Sequence, residues 1–312
     1  PGHFHPEQQF AKGSFFGGDL PSDEEPTVHE EGSSEDDAVI TRVEVRNNQG
    51  ALLNLQLDDD TDSIHVLDID GLGPVKATLV SSSFAQLPGE QLNSKRRETR
   101  NIKFQLGLNP DPAALESYES LRFQLYEFFM SETDVSLRFF TDGGLTVDIL
   151  GTVETCDPTI FDQEPAMQVS IMCFNPDFFD PTPVHLTGDT TSGSTTTPIV
   201  YDGHIETGVI FTLNVDRTLT EFTLYHTLPS GEIRSMDFSG DLASGDVLTI
   251  STVRGSKSVT LVRSGISSSM LWAIPPQSTW MSLVRGVNQF RAYATGAAIP
   301  YTLDYTKKYG AL

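Results

Sequence analysis

Leu145–Phe179, LTVDILGTVETCDPTIFDQEPAMQVSIMCFNPDFF, is the stretch from which the rest of the chain can be read. Leu145, Val147, Ile149 and Val153 alternate with Thr146, Asp148, Thr152 and Glu154. After a connection, Met167, Val169, Ile171 and Cys173 alternate with Gln168, Ser170 and Met172. Successive side chains of a strand point to opposite faces, so this period of two predicts a pair of strands, each with one buried face. Asn175-Pro176-Asp177 predicts a sharp exit, because proline has no N–H to give a ladder and Asn-Pro favours a turn. The residues before the exit read as one domain and those after it as another.

Upstream, Val135–Phe140 reads as a strand closed into a hairpin by Asp142-Gly143-Gly144. Asp111-Pro112 joins an N-cap acceptor to a proline at the first helical position. Ala114, Tyr118, Leu121, Leu125 and Phe128 then recur at helical spacing, with Leu115, Arg122 and Phe129 beside them. This predicts the single long helix of the chain, running to about Met130, with its aromatic stripe in the core.

Asn101–Leu108 reads as a strand, and Gln86–Arg100 before it holds a turn at Pro88-Gly89 and a basic cluster, Lys95, Arg96, Arg97 and Arg100. In an acidic chain this cluster is either a solvated face or a contact for acidic residues of an adjacent subunit. Ile64–Leu79 contains the break Gly71-Leu72-Gly73-Pro74. Residues 39–57 read as a hairpin, with Val43 and Val45 on one strand, Leu53 and Leu55 on the other, and Asn47–Gly50 as the turn. Asp58, Asp60 and Asp62 have the opening spacing of a calcium loop. Ser63 and Ile69 stand where that loop needs glycine and glutamate, so a solvated loop is expected.

Residues 1–38 carry ten acidic side chains against Lys12 alone. Such a segment cannot bury enough apolar surface to fold by itself. It is expected to pack on a neighbouring subunit or partner, or to fold back on its own domain, with Phe4, Phe10, Phe15 and Phe16 as anchors.

Downstream, Asp180–Pro183 and the polar run Thr187–Thr197 read as a connection. Beyond it, Val209, Phe211, Leu213 and Val215 alternate, as do Phe222 and Leu224, and Val259 and Leu261. Pro229-Ser230-Gly231, Ser244-Gly245-Asp246 and Arg254-Gly255-Ser256 supply turns between them. Short strands and frequent turns predict a β-sandwich. The division expected is an acidic arm (1–38), a β-rich α+β domain with one long helix (39–184), a linker (185–197), a sandwich (198–300), and a tail (301–312) packing on the first domain or a sheet edge.

A length of 312 residues suffices for two cores. The net charge of −23 argues against binding nucleic acid through phosphates and against adsorption to anionic membranes. No apolar run approaches the ~20 residues that span a bilayer, and PGHFHPEQQF lacks the pattern of a secretory signal. Cys156 and Cys173 are too few for a disulfide framework and are expected as free thiols in a reducing cytoplasm. Walker, paired metal-cysteine, H-E-x-x-H and G-x-S-x-G motifs are absent, and no two histidines stand four apart. No catalytic residue, cofactor or metal is expected, although abundant carboxylates make any acidic pair uninformative.

In their order along the chain, several pieces resemble the distal tail proteins of long, non-contractile-tailed bacteriophages. They are Ile69–Pro74, Pro88-Gly89 with Lys95–Arg100, the strand NIKFQLGL, the helix, and the stretch VDILGTVETCDPTIFDQEPAMQVSIMCFNPDFF. Gly203-His204-Ile205, Gly245–Ile250, Lys257-Ser258-Val259, Trp280–Asn288 and the ending YTKKYGAL continue the likeness, which spans residues 39–312. The resemblance implies a galectin-like sandwich after the helix-bearing domain. It also implies a non-enzymatic ring, commonly a hexamer, at the distal end of the virion tail, assembled in the host cytoplasm. Such a ring would join the tail tube protein to the tip or baseplate hub, and possible further partners are the tape measure protein and DNA in transit through the channel. Candidate inter-subunit contacts are Lys95, Arg96, Arg97, Arg100, Asp148, Glu154, Phe15 and Phe16. The alternative is a carbohydrate-binding module acting through the C-terminal sandwich, with Trp280 as the sugar platform and Trp272 in the core.

Overall fold

The computed structural model describes residues 40–57, 62–84, 88–159 and 165–312. All of these fall in one unit, Ala38–Leu312.

The predicted first hairpin is β1 (Ile40–Asn47) with β2 (Leu52–Gln56). Asn47 shapes its turn, the side-chain oxygen accepting from the N–H groups of Gln49 and Ala51 at 3.1 and 2.9 Å. There follow β3 (Ile64–Asp70), β4 (Ala77–Ser83), β5 (Glu90–Arg97), β6 (Arg100–Leu108), helix α1 (Tyr118–Phe129) and β7 (Asp134–Thr141). Next come β8 (Thr146–Pro158), β9 (Ala166–Cys173) and β10 (Phe178–Phe179). The main sheet runs β2-β1-β7-β8-β9-β6-β3, with every named pairing antiparallel. The two strands predicted in Leu145–Phe179 lie side by side near its centre. Val147, Ile149, Val153, Met167, Val169, Ile171 and Cys173 are all buried on the core face. Leu121, Leu125, Phe128 and Phe129 of α1 belong to the same core.

Strict alternation misplaces Cys156. The register shifts between Val153 and Thr155, and beyond the shift Cys156 stands opposite Val169 and packs on the core. A bulge adds one residue to one strand and so exchanges the faces of everything beyond it.

The helix starts later than its proline suggests. Asp111 accepts from the Ala113 N–H at 2.8 Å, but it caps only a 3-10 turn, Pro112–Ala114. Leu115, in the left-handed region at φ 58° and 92% exposed, ends that turn. Ser117 then begins α1 with a reciprocal cap: its hydroxyl accepts from the Ser120 N–H (3.1 Å) while the Ser120 hydroxyl accepts from the Ser117 N–H (2.9 Å). Two unsatisfied donors at the helix start gain partners in this way.

The second half holds β11 (Val184–Asp189), β12 (Thr197–Tyr201), β13 (Val209–Asn214), β14 (Leu219–Thr227) and β15 (Ile233–Leu242). These are followed by β16 (Val247–Ser251), β17 (Ser258–Arg263), β18 (Ile266–Ser269), β19 (Gly286–Tyr293), β20 (Pro300–Tyr305) and β21 (Lys308–Tyr309). Sheets β11-β20-β13-β16-β17-β18 and β12-β19-β14-β15 enclose a second core containing Phe211, Phe222, Phe238, Phe290 and Tyr301. Two antiparallel sheets sharing one apolar layer are a sandwich. The polar run expected as a connection opens with a strand: β11 pairs along its length with β20, and Val184 and Leu186 pack on the core. Edge strands need only one partner and one apolar phase, so low hydrophobicity does not exclude them. β20 in turn is internal, lying between β11 and β13. The chain finally returns to the first sheet, where β21 pairs with β10 and places Phe178 opposite Tyr309.

Candidate interaction surfaces

The basic cluster separates by strand position. Arg100, at the start of β6, is 1% exposed. Its Nε donates to the Pro176 carbonyl (2.9 Å), Nη1 to those of Gly71 and Gly73 (2.5 and 2.7 Å), and Nη2 to that of Gly310 (2.6 Å). Its guanidinium carbon lies 4.4 Å from the centroid of the Phe178 ring. Burial pulls its pKa below the ordinary arginine value, opposed by Cys173 and Asp177. Arg97 makes a two-point ion pair with the buried Asp177, one arm at 3.0 Å. Arg100 is therefore unavailable to another subunit, contrary to expectation. Three separate stretches of backbone, with four carbonyls between them, need its fork, and a planar guanidinium can serve them all at once.

Lys95 and Arg96 remain exposed, without an ion pair among the described residues. Both lie on β5, which pairs with β4 in a sheet of its own. Leu79 stands opposite Lys95, and Thr78 opposite Arg96. Leu79 is 64% exposed and Leu92 54%, and Val80 and Phe84 are exposed as well. A two-stranded ribbon with no covered face is marginal in water. This ribbon combines positive charge with bare apolar side chains, which suits an interface.

Asp148 is engaged within the chain. It accepts from Nε and Nη2 of Arg138, directly opposite on β7, at 2.7 and 2.9 Å. This bond raises the Arg138 pKa. The two form a cross-strand pair because the register sets both side chains on one face. Glu154 is exposed, with the Ser170 hydroxyl 2.9 Å from its carboxylate. Phe15 and Phe16 lie outside the described residues.

The tryptophans exchange their expected places. Trp272 is 72% exposed, whereas Trp280 packs on the second core with the Lys257 ammonium 5.3 Å from its ring centroid. Trp272 lies in the 3-10 turn Leu271–Ala273, where Met270, Ala273 and Ile274 are the buried positions. With three residues per turn, Leu271 and Trp272 are carried outward.

No catalytic constellation emerges among the described residues. Among the described residues no three His, Cys, Asp or Glu side chains are grouped to hold a metal. Burial pushes the thiols of Cys156 and Cys173 up to about 11 and about 12, far from a nucleophile's range. No described helix is long and apolar enough to cross a membrane.

Residues 202–309 match the model of the siphovirus-type tail component, C-terminal domain. Over those residues the chain is similar to a siphovirus-type tail component domain. No curated protein matches the chain. The tail component domain and the sheet before it together share the fold of SPP1 Dit, described as a paradigm of hub adsorption apparatus in phages infecting Gram-positive hosts. That likeness has a TM-score of 0.59 at 17% identity, over 85% of this chain and 98% of that one. A chain of the phage P2 baseplate in its activated conformation with Ca aligns less well, with a TM-score of 0.45 at 9% identity over 87% of this chain and 99% of that one.

Proposed function

We propose that this chain is a structural, non-enzymatic component of a siphovirus tail tip. It forms a homo-oligomeric ring, a hexamer, at the distal end of the tail, and leaves a channel through which DNA passes. The ring joins the tail tube protein to the tip or baseplate hub, with the tape measure protein as a further partner, and assembles in the host cytoplasm. The two domains expected from the sequence enter the same reading, with β11 and β20 counted in the second, the β-rich domain making the ring and a galectin-like sandwich on its periphery.

The match of residues 202–309 to the tail component model carries the reading, supported by the fold shared with SPP1 Dit. The β4–β5 ribbon adds a physical reason for self-association. Its Lys95 and Arg96 project from a chain of net charge −23, so an acidic surface on the next copy would attract them. Light scattering on the purified protein, followed by negative-stain imaging with and without tail tube protein, tests the proposal. Closed rings are the expected result; a monomer that stays single in both conditions overturns it.

A further inference from the structure

We infer that the β4–β5 ribbon of one copy seats in a groove on the main sheet of a second copy, so that copies of this chain join through two different surfaces. The inference rests on the tail-tip reading and names the contact that joins its subunits. The groove, of about 430 Å³, crosses β1, β7 and β8 and has Leu150 and Phe174 among its walls. Leu150 falls on the outward phase of β8, between Asp148 and Thr152, while Ile149 beside it is buried. Thr152 stands opposite Met172, and the same antiparallel count sets Leu150 beside Phe174. Leu150 is 59% exposed and Phe174 71%. Their neighbours on that face are polar, so the two form an isolated apolar spot, of the kind that anchors an interface once covered.

The charge around this spot is lopsided. Asp134, on the rim, is exposed and accepts from the Thr152 hydroxyl at 2.7 Å. Glu132 lies beside it, its N–H donating to the Val153 carbonyl at 2.9 Å, and Glu154 follows two residues after Thr152. None of these three carboxylates has an ion pair among the described residues. Arg46 is the single cation of the lining, one against three. The groove therefore suits an occupant that is apolar and basic at once; a purely apolar or an acidic one would leave the rim uncompensated.

The ribbon has that character on both faces. The register and the period of two put Leu79 with Lys95 on one face, and Val80 with Arg96 on the other. All four are exposed, and β4 and β5 pair only with each other. A ribbon entering a groove presents both faces to its walls, so each cation arrives beside an apolar side chain. Within one chain the two surfaces do not meet, since Leu79, Val80, Leu150 and Phe174 all stay exposed. The base of the ribbon is pinned by the Arg97–Asp177 pair and by the buried Arg100. A second copy supplies what the first cannot reach. Contact between two unlike surfaces repeats from copy to copy and generates a ring when the rotation closes.

The test exchanges charge between the two surfaces, with size read by light scattering and sedimentation. One variant carries Lys95→Glu and Arg96→Glu, the other Glu132→Lys and Asp134→Lys. Each alone opposes like charges at every contact and is expected to stay monomeric at concentrations where the wild type assembles. An equimolar mixture brings each altered ribbon to an altered rim and each native ribbon to a native rim, and is expected to regain the wild-type size. Leu150→Ser with Phe174→Ser should raise the concentration needed for assembly about tenfold or more at an unchanged melting temperature. A mixture that remains monomeric, or wild-type assembly in the Leu150→Ser, Phe174→Ser variant, overturns the inference. Either result beside wild-type rings leaves the tail-tip proposal standing, whereas a wild type that stays single even with tail tube protein overturns both.

Discussion

Arg100 shows how one buried side chain can hold distant parts of a chain together. Its four acceptors belong to Gly71, Gly73, Pro176 and Gly310, and no other residue type offers five donors in a fixed fork. Arg100→Met strands these carbonyls in a dry site, and a cost of about 3 kcal/mol or more in urea unfolding is expected. Arg100→Lys should recover only part of it, because an ammonium cannot span the same set. His226 is a second buried polar residue, 1% exposed, with Nε2 3.0 Å from the Asn288 side-chain oxygen. Burial lowers its pKa, only partly opposed by that hydrogen bond. The folded state therefore prefers the neutral ring. Stability is fully present above the unfolded value of about 6.5 and is lost as pH falls from there toward the folded value. Thermal midpoints should drop between pH 7 and pH 5, and the drop should shrink in His226→Gln. The buried thiols offer a simpler check: Cys173 should resist alkylation at neutral pH until denaturant is added.

At the level of elements, the β4–β5 ribbon and the β7–β8 pair make opposite predictions about charge. Lys95→Glu with Arg96→Glu alters only exposed residues, so the melting temperature should hold while oligomers dissociate in light scattering. Asp148→Lys instead places two cations opposite one another at a two-point pair, costing roughly 1 kcal/mol of stability in the monomer. Loss of rings in that variant would report destabilisation as much as assembly, so the ribbon variants are the cleaner test. The elements themselves were mostly legible. Alternation in Leu145–Phe179 gave both strands and their buried residues, since one face of each borders a single continuous core. The bulge near Thr155 was not legible, because an inserted residue is defined by its partner strand. The helix start was displaced because an N-cap with proline suits a 3-10 turn as well as an α-helix.

On the scale of the whole molecule, the return of the last residues to the first sheet couples the two cores. β21 pairs with β10, the Leu312 N–H donates to the Leu72 carbonyl at 3.2 Å, and Gly310 supplies an acceptor to Arg100. Tyr201, buried in the second core, accepts from the Lys308 N–H at 3.1 Å and donates to the Ile205 carbonyl at 2.5 Å. Deleting residues 308–312 should expose Phe178, remove one of the four acceptors of Arg100 and split a single calorimetric transition into two. A single transition at an unchanged midpoint would show that the tail adds nothing to the coupling.

The linear chain carried the features that depend on near neighbours: strand periodicity, turns at Gly and Pro, one helix, a surplus of acid, and the missing catalytic motifs. The order of its weak motifs also pointed to the tail proteins whose domain model matches residues 202–309. The fate of individual side chains was set by packing across long sequence separations. Arg97 and Arg100 turn inward to Asp177 and to backbone carbonyls, while their neighbours Lys95 and Arg96 stay in solvent. Trp272 is exposed and Trp280 half-buried. Asp134, Leu150 and Phe174 meet around one groove although they stand on three stretches of chain. Burial and hydrogen bonding belong to pairs of residues, and the second member of each pair is identified only when the sheets close.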